Sequence, residues 1–197
     1  MSRSRLSWAA GESSSRCGAS TDAVVVSEVS GLRSSWLTSL VIEEVTAVEL
    51  VRQSVRSAAQ RHSLAEPEVE VEGDLGEARV SVDRRRFERV MTNLIVNAEQ
   101  YGGGATAVIV AARDSSVIID VDDAGPGIAP EERDQVFQRF FRGRAAHDRS
   151  MARGTGLGLA LVRDHVTSFG GSIAALESPA GGARFEITLP RRDGGAP

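Results

Sequence analysis

The chain has 197 residues, 41% apolar and 25% charged, enough for one sizeable core and a modest extra segment. Its net charge of −4 argues against a general nucleic-acid binder, and its single cysteine, Cys17, excludes an internal disulfide and a cysteine-based zinc site. The longest apolar run, ATAVIVAA, is far too short for a membrane span, and the first residues lack the continuous apolar stretch of a signal peptide, so a cytoplasmic location without a direct membrane span is expected.

Residues 1–22, rich in Ser, Gly and Arg, read as a loose N-terminal segment. In 24–42, Val24, Val25, Leu32, Trp36, Leu37 and Leu40 form one helical stripe that Gly31 and the serines weaken. From Thr46 to Arg61 the spacing of Val48, Val51, Val55 and Ala59 predicts a helix, and Thr46 with Glu49 suggests a capping box. VEVEG and ARVSVD alternate with period two, as half-buried strands do. Asp83 is placed to cap a helix over 84–101. ATAVIVAAR and SVIIDVDD predict a hairpin closed by DSS, and GSIAALES and ARFEITLP a second one closed by PAGG. Between them lie a glycine-rich turn, an arginine-rich polar stretch and a helix over 156–169. Without a regular βαβ alternation, the order predicts an α+β fold: a two-layer sandwich of a mixed, mostly antiparallel sheet with helices on one face.

Four stretches carry chemistry. In NLIVNAEQY, Asn93 and Asn97 are one helical turn apart and share a face. Alone, such a pair reads as a wet helix edge; as a site, its amide oxygens suit Mg²⁺, which takes oxygen ligands and shares substrate phosphates. In DVDDAGPGI a strand ends in two acids followed by Gly125, Pro126 and Gly127. A carboxylate there accepts a hydrogen bond from the exocyclic amine of adenine, whereas guanine presents a carbonyl, a second acceptor. In GTGLGLALV, glycines 154, 156 and 158 open a helix whose N-terminal amides make an anion site. The preceding RGRAAHDRSMAR does not read as a strand, which argues against a dinucleotide fingerprint, and it reads as a lid over about 142–155. In VFQRFFRG, Phe137 reads as a core anchor, and Arg139, Arg142 and Arg144 follow where they can neutralise phosphate charge.

In this order the four stretches resemble the ATP-binding catalytic domain of sensor histidine kinases, within the wider group of gyrase, Hsp90 and MutL. NLIVNAEQY is similar to the N box, DDAGPGI to the first glycine box, VFQRFFRG to the F box, RGTGLGLAL to the second glycine box and GGARFEITLP to the final strand motif. The resemblance implies a Bergerat-type fold over 46–190, with ATP and Mg²⁺ as cofactors and 191–197 as a tail. It implies Asn97 as the Mg²⁺ ligand, Asn93 and Arg142 as its catalytic companions at the phosphates, and Asp123 on the adenine amine. Gly125, Gly127 and Ile128 would lie by the base, Tyr101 beside them, and Gly154, Thr155, Gly156, Leu157 and Gly158 at the lid. ATP-hydrolysing relatives carry a glutamate at the place of Asn93, so an amide there suits transfer rather than hydrolysis. Gln100 stands where the N box usually has lysine, and Ala183 where the last motif commonly has threonine.

None of the three histidines, His62, His147 and His165, sits in a box resembling S-H-E-L-R-T-P. The family's acceptor is therefore expected on a separate histidine-bearing dimerisation-domain protein, which passes phosphate to a response regulator, and residues 23–45 resemble the end of a dimerisation helix and its linker. An anti-sigma-factor serine kinase is the second reading, disfavoured by Asn93 and the F box; a non-catalytic nucleotide-binding fragment is the third.

Overall fold

The computed structural model describes residues 40–142 and 155–192. Strand β1, Glu43–Thr46, leads directly into helix α1, Ala47–His62. The expected Thr46/Glu49 capping box does not form, because Thr46 is the last residue of a strand; its side chain makes no cap, and the first helical N–H, of Ala47, donates to the carbonyl of Ala78 at 2.9 Å. Residues 40–42 are not helical, and the rest of the stripe expected over 24–42 lies outside the described residues. β1 pairs antiparallel with β3, so the sheet begins a few residues before the expected boundary at 46.

β2, Val69–Glu72, and β3, Arg79–Val82, follow. Helix α2, Arg84–Asn97, starts where Asp83 accepts the Arg86 N–H at 3.1 Å, as its sequence predicts. It ends at Asn97 rather than at 101 and passes into one π-helical turn, Ala98–Gly102. β4, Ala105–Arg113, and β5, Ser116–Asp123, form the expected hairpin, with Asp114 at φ 48° in its turn. Two short 3₁₀ turns, Pro130–Glu132 and Gln135–Phe137, precede helix α3, Gly158–Ser168. Gly156, at φ 68°, lies before α3 instead of inside it. β6, Ser172–Glu177, and β7, Ala183–Arg192, close the chain as the second hairpin.

The sheet runs β1-β3-β7-β5-β4-β2, with β6 on β7. All pairings are antiparallel except β2 with β4. β2 is the weakest fulfilment of its pattern: it is an edge strand, and Val71 is exposed. One face of the sheet is apolar, with Val117, Ile119 and Val121 of β5 beside Phe185, Ile187 and Leu189 of β7. The helices cover it with Val51 and Val55 of α1, Phe87, Met91 and Leu94 of α2, and Val162 and Val166 of α3. Burying such side chains contributes roughly 1.5–3 kcal/mol each, which is what binds the two layers. The other face of β5 carries Ile118, Asp120 and Asp122, also buried.

Candidate nucleotide site

α2, the π turn, the end of β5 and the start of α3 enclose one cavity of about 490 Å³, a volume that suits a small ligand. Asn93, Asn97, Tyr101, Asp123, Gly127, Ile128, Arg142, Thr155, Gly156, Leu157 and Gly158 all line it. These residues span more than sixty positions of sequence and converge because the core-facing residues of α2, Leu94 and Ile95, seat the helix with its two carboxamides turned away from the sheet. Gly154 lies outside the described residues.

Asp123 is the most tightly built group. It is buried, and its Oδ1 accepts the N–H of Gly125 at 2.9 Å and of Ala183 at 3.0 Å. Its Oδ2 has no hydrogen bond among the described residues. Three glycines crowd the carboxylate. A Cβ at Gly102 would lie 2.4 Å from the Asp123 Cβ, one at Gly182 would lie 2.5 Å from Oδ1, and one at Gly125 would lie 2.7 Å from the Gly102 Cα. Gly125 therefore does not line the cavity; it turns its backbone to the π turn and its N–H to Asp123. Ala183 contributes its main chain, which explains why the usual threonine is dispensable for this contact.

The second glycine box is packing chemistry. A Cβ at Gly156 would meet the Phe140 backbone at 2.9 Å, and the Phe140 N–H donates to the Gly156 carbonyl at 2.8 Å. A Cβ at Gly158 would come within 3.3 Å of Asn93 Oδ1, so the start of α3 rests against the first carboxamide. Phe137 is the anchor its sequence predicts: buried, edge-on to Phe185 with ring centres 6.2 Å apart, and covered by the Arg163 guanidinium. Phe141 lines the cavity, whereas Phe140 is 72% exposed and sits at φ 65°. Arg139 pairs with Asp164 at 3.1 Å and does not line the cavity; Arg144 lies outside the described residues.

The cavity also holds residues the motifs leave unassigned. Val96, Pro126, Val136, Leu159 and Leu161 make its wall apolar, and Gln100 and Glu132 add polar groups. Leu161 and Leu159 follow from α3's register; Glu132 gives no signal in the sequence, since its place depends on the fold of the two 3₁₀ turns. Behind the site, Arg184 binds Asp122 with Nε and one terminal nitrogen, at 2.7 and 2.6 Å, and Asp120 with the other at 2.9 Å. Asp120 Oδ1 is buried without a hydrogen bond, and burial is the main cause that pushes this carboxyl up to about 6, against the opposing pull of Arg184.

Among the described residues no group of three or more His, Cys, Asp or Glu side chains could hold a metal alone. The donor set fits a hard cation brought in on phosphate oxygens and completed by a neutral amide oxygen. The buried carboxylate with one free oxygen and the glycine-bounded wall fit a purine.

Residues 82–193 match the family described as histidine kinase-, DNA gyrase B-, and HSP90-like ATPase. The chain is 41% identical over 110 residues to the signal transduction histidine-protein kinase AfsQ2 of Streptomyces coelicolor, a match covering 56% of this chain and 20% of that one. It is 42% identical over 111 residues to sensor histidine kinase component HK1 of Mycobacterium tuberculosis, covering 56% and 64% respectively. The chain thus spans about a fifth of AfsQ2 and under two thirds of HK1. Its structure superposes on the ATP binding domain of PrrB from Mycobacterium tuberculosis with a TM-score of 0.57 at 28% identity, covering 77% of this chain and 98% of that one.

Proposed function

The chain belongs to the histidine kinase-, DNA gyrase B- and HSP90-like ATPase family, and we propose that it is the ATP-binding catalytic component of a two-component signalling histidine kinase. In this reading it transfers the γ-phosphate to a histidine on a separate partner polypeptide, which then serves a response regulator. The observation that carries the nucleotide assignment is Asp123: a buried carboxylate whose Oδ1 is held by two main-chain N–H groups, leaving Oδ2 to accept from the adenine amine. The PrrB domain, named as ATP binding, supports it.

The chain's own residues have distinct tasks. The apolar wall of Ile128, Val136 and Leu157 excludes water from the base. Asn97 would hold Mg²⁺ through its amide oxygen. When bound, Mg²⁺ screens the phosphates and orients the terminal one for in-line attack. Arg142 supplies the compensating charge that Gln100 does not. Asn93, resting on Gly158, has no basic group with which to activate water, so it favours storage of ATP until an acceptor arrives.

Two observations support an acceptor outside the nucleotide-binding fold. Neither His62, at the exposed end of α1, nor His165, on α3, lines the cavity, and His147 lies outside the described residues. The relative HK1 is itself named a sensor histidine kinase component. The test is incubation with γ-labelled ATP and a histidine-bearing partner. Label on the partner alone, lost in acid and kept in base, is expected. Acid-stable label would make the protein a serine kinase, and ATP binding without any transfer would make it a nucleotide-binding fragment. Asn97→Ala is expected to lower transfer at saturating nucleotide far more than it lowers binding.

A further inference from the structure

The run PEERD, which follows the first glycine box, carries three acids, and the fold separates them. Glu131 and Asp134 are exposed and lie outside the cavity, whereas Glu132 is half-buried and lines it. The turn that places it is firmly built. Pro130 opens a 3₁₀ turn closed by the Glu132 N–H on the Ala129 carbonyl at 2.8 Å and by the Arg133 N–H on the Pro130 carbonyl at 3.4 Å. Arg133 does not line the cavity; it donates to the Ile128 carbonyl at 3.3 Å and pairs with Glu177 at 3.8 Å. Gln135 reaches back to the Glu131 carbonyl at 2.6 Å. Ile128 and Val136, four residues to either side, line the cavity together with Glu132.

An acid is unexpected in this place. Among the described residues three charged side chains line the cavity: Asp123, Glu132 and Arg142. A carboxylate repels a triphosphate, so it belongs where the ligand offers donors. ATP has three such groups, the adenine amine and the 2′- and 3′-hydroxyls of ribose. Asp123 is fixed for the amine by Gly125 and Ala183. The phosphates fall to Asn97, at the end of α2, and to Arg142, beyond Phe141. Between the base and the phosphates lies the sugar, and its hydroxyls are the donors left for Glu132. The chain runs in the same order: Ile128 by the base, then Glu132, then Phe141 and Arg142, all on the cavity.

We propose that Glu132 reads the sugar of the nucleotide, its carboxylate accepting hydrogen bonds from the 2′- and 3′-hydroxyls, so that the protein selects ribonucleotides over deoxyribonucleotides. The inference rests on the ATP reading above and adds a second point of recognition to Asp123. Two carboxylate oxygens match two adjacent hydroxyls, the same chemistry by which an acid holds the ribose in dinucleotide-binding folds. A ligand lacking a hydroxyl leaves the acid in the cavity without that partner, which is how a polar site rejects an analogue. The closed turn fixes the backbone of Glu132 before the ligand arrives, so little ordering is required on binding.

The test is calorimetry of the full chain with ATP, 2′-deoxyATP and 3′-deoxyATP, all with Mg²⁺, on the unaltered protein and on Glu132→Ala. ATP is expected to bind roughly tenfold tighter than at least one deoxy analogue, as a charge-assisted hydrogen bond gives. Glu132→Ala should weaken ATP by the same factor and leave the affinity for that analogue unchanged, because hydroxyl and carboxylate are two halves of one contact. The unchanged analogue also reports an intact fold. Glu132→Gln should fall in between, since an amide oxygen still accepts. Equal binding of all three nucleotides by the unaltered protein overturns the assignment. So does a loss in Glu132→Ala that all three share, which makes the residue structural, or a gain that all three share, which puts the carboxylate beside the phosphates. In each of these cases ATP still binds and the nucleotide reading stands. If no nucleotide binds at all, that reading fails and the sugar assignment falls with it.

Discussion

The two faces of β5 carry carboxylates that are held in opposite ways. On the outer face, Asp122 is clamped by two nitrogens of Arg184 and Asp120 takes the third, so their charge is spent on a cation of the fold itself. On the helix-facing side, one residue further on, Asp123 is held only by main-chain N–H groups and by the absence of three Cβ atoms. A carboxylate gripped by guanidinium has few lone pairs left for a ligand. One gripped at a single oxygen by amides is fixed in place and keeps its second oxygen available. Period two decides which is which, because adjacent residues on a strand face opposite sides.

Breaking the outer clamp should have the largest effect on stability and little on the nucleotide. Arg184→Met leaves Asp120 and Asp122 buried without their cation, which is expected to cost about 3–5 kcal/mol in urea denaturation. ATP affinity of the folded fraction should change little. Equal losses of stability and affinity would erase the distinction between the two faces.

Asp120 sharpens the contrast through pH. Its carboxyl is pushed up to about 6, whereas the unfolded chain releases the same proton near 3.8. Between those values the folded state binds more protons, so rising pH lowers stability through this group, and the penalty is complete above about 6. Asp120→Asn should therefore raise stability at neutral pH by about 1–3 kcal/mol and give little gain below about pH 4. Urea midpoints across that range check it; a gain that is the same at every pH would contradict the assignment.

The smallest effect belongs to the glycine wall. A Cβ at Gly102 would lie 2.4 Å from the Asp123 Cβ, so Gly102→Ala should force the carboxylate to shift, cost about 1–3 kcal/mol of stability by overpacking and weaken ATP with it. Unchanged calorimetric affinity would show that the wall does not position Asp123.

Much of this was legible in the sequence where local chemistry dictates structure. Asp83 caps α2, DSS closes β4 on β5, and the two asparagines, Asp123, Gly127, Gly156 and Gly158 converge on one cavity, while Gly125 does not line it. The Thr46/Glu49 box misled because a tertiary bond, Ala47 N–H to Ala78, replaces the local one. Parallel pairing of β2 with β4 was hidden because a short acidic strand has no pattern that names its neighbour. The roles of Gly102 and Gly182 were hidden too: each answers to an aspartate far away in sequence, and only the assembled sheet brings them together.

The central claim is that Asp123 reads the amine of adenine, and the most direct test is calorimetry with ATP and inosine triphosphate, which differ by a carbonyl in place of that amine. The protein should bind ATP more than tenfold tighter, since one charge-assisted hydrogen bond is worth about 1.5–3 kcal/mol. Because Gly125 and Ala183 donate to Oδ1, Asp123→Asn should keep its oxygen there and turn its NH₂ toward the base, reversing the preference in favour of inosine triphosphate. Equal affinities for the two nucleotides in the unaltered protein, with no reversal in the variant, would contradict the account.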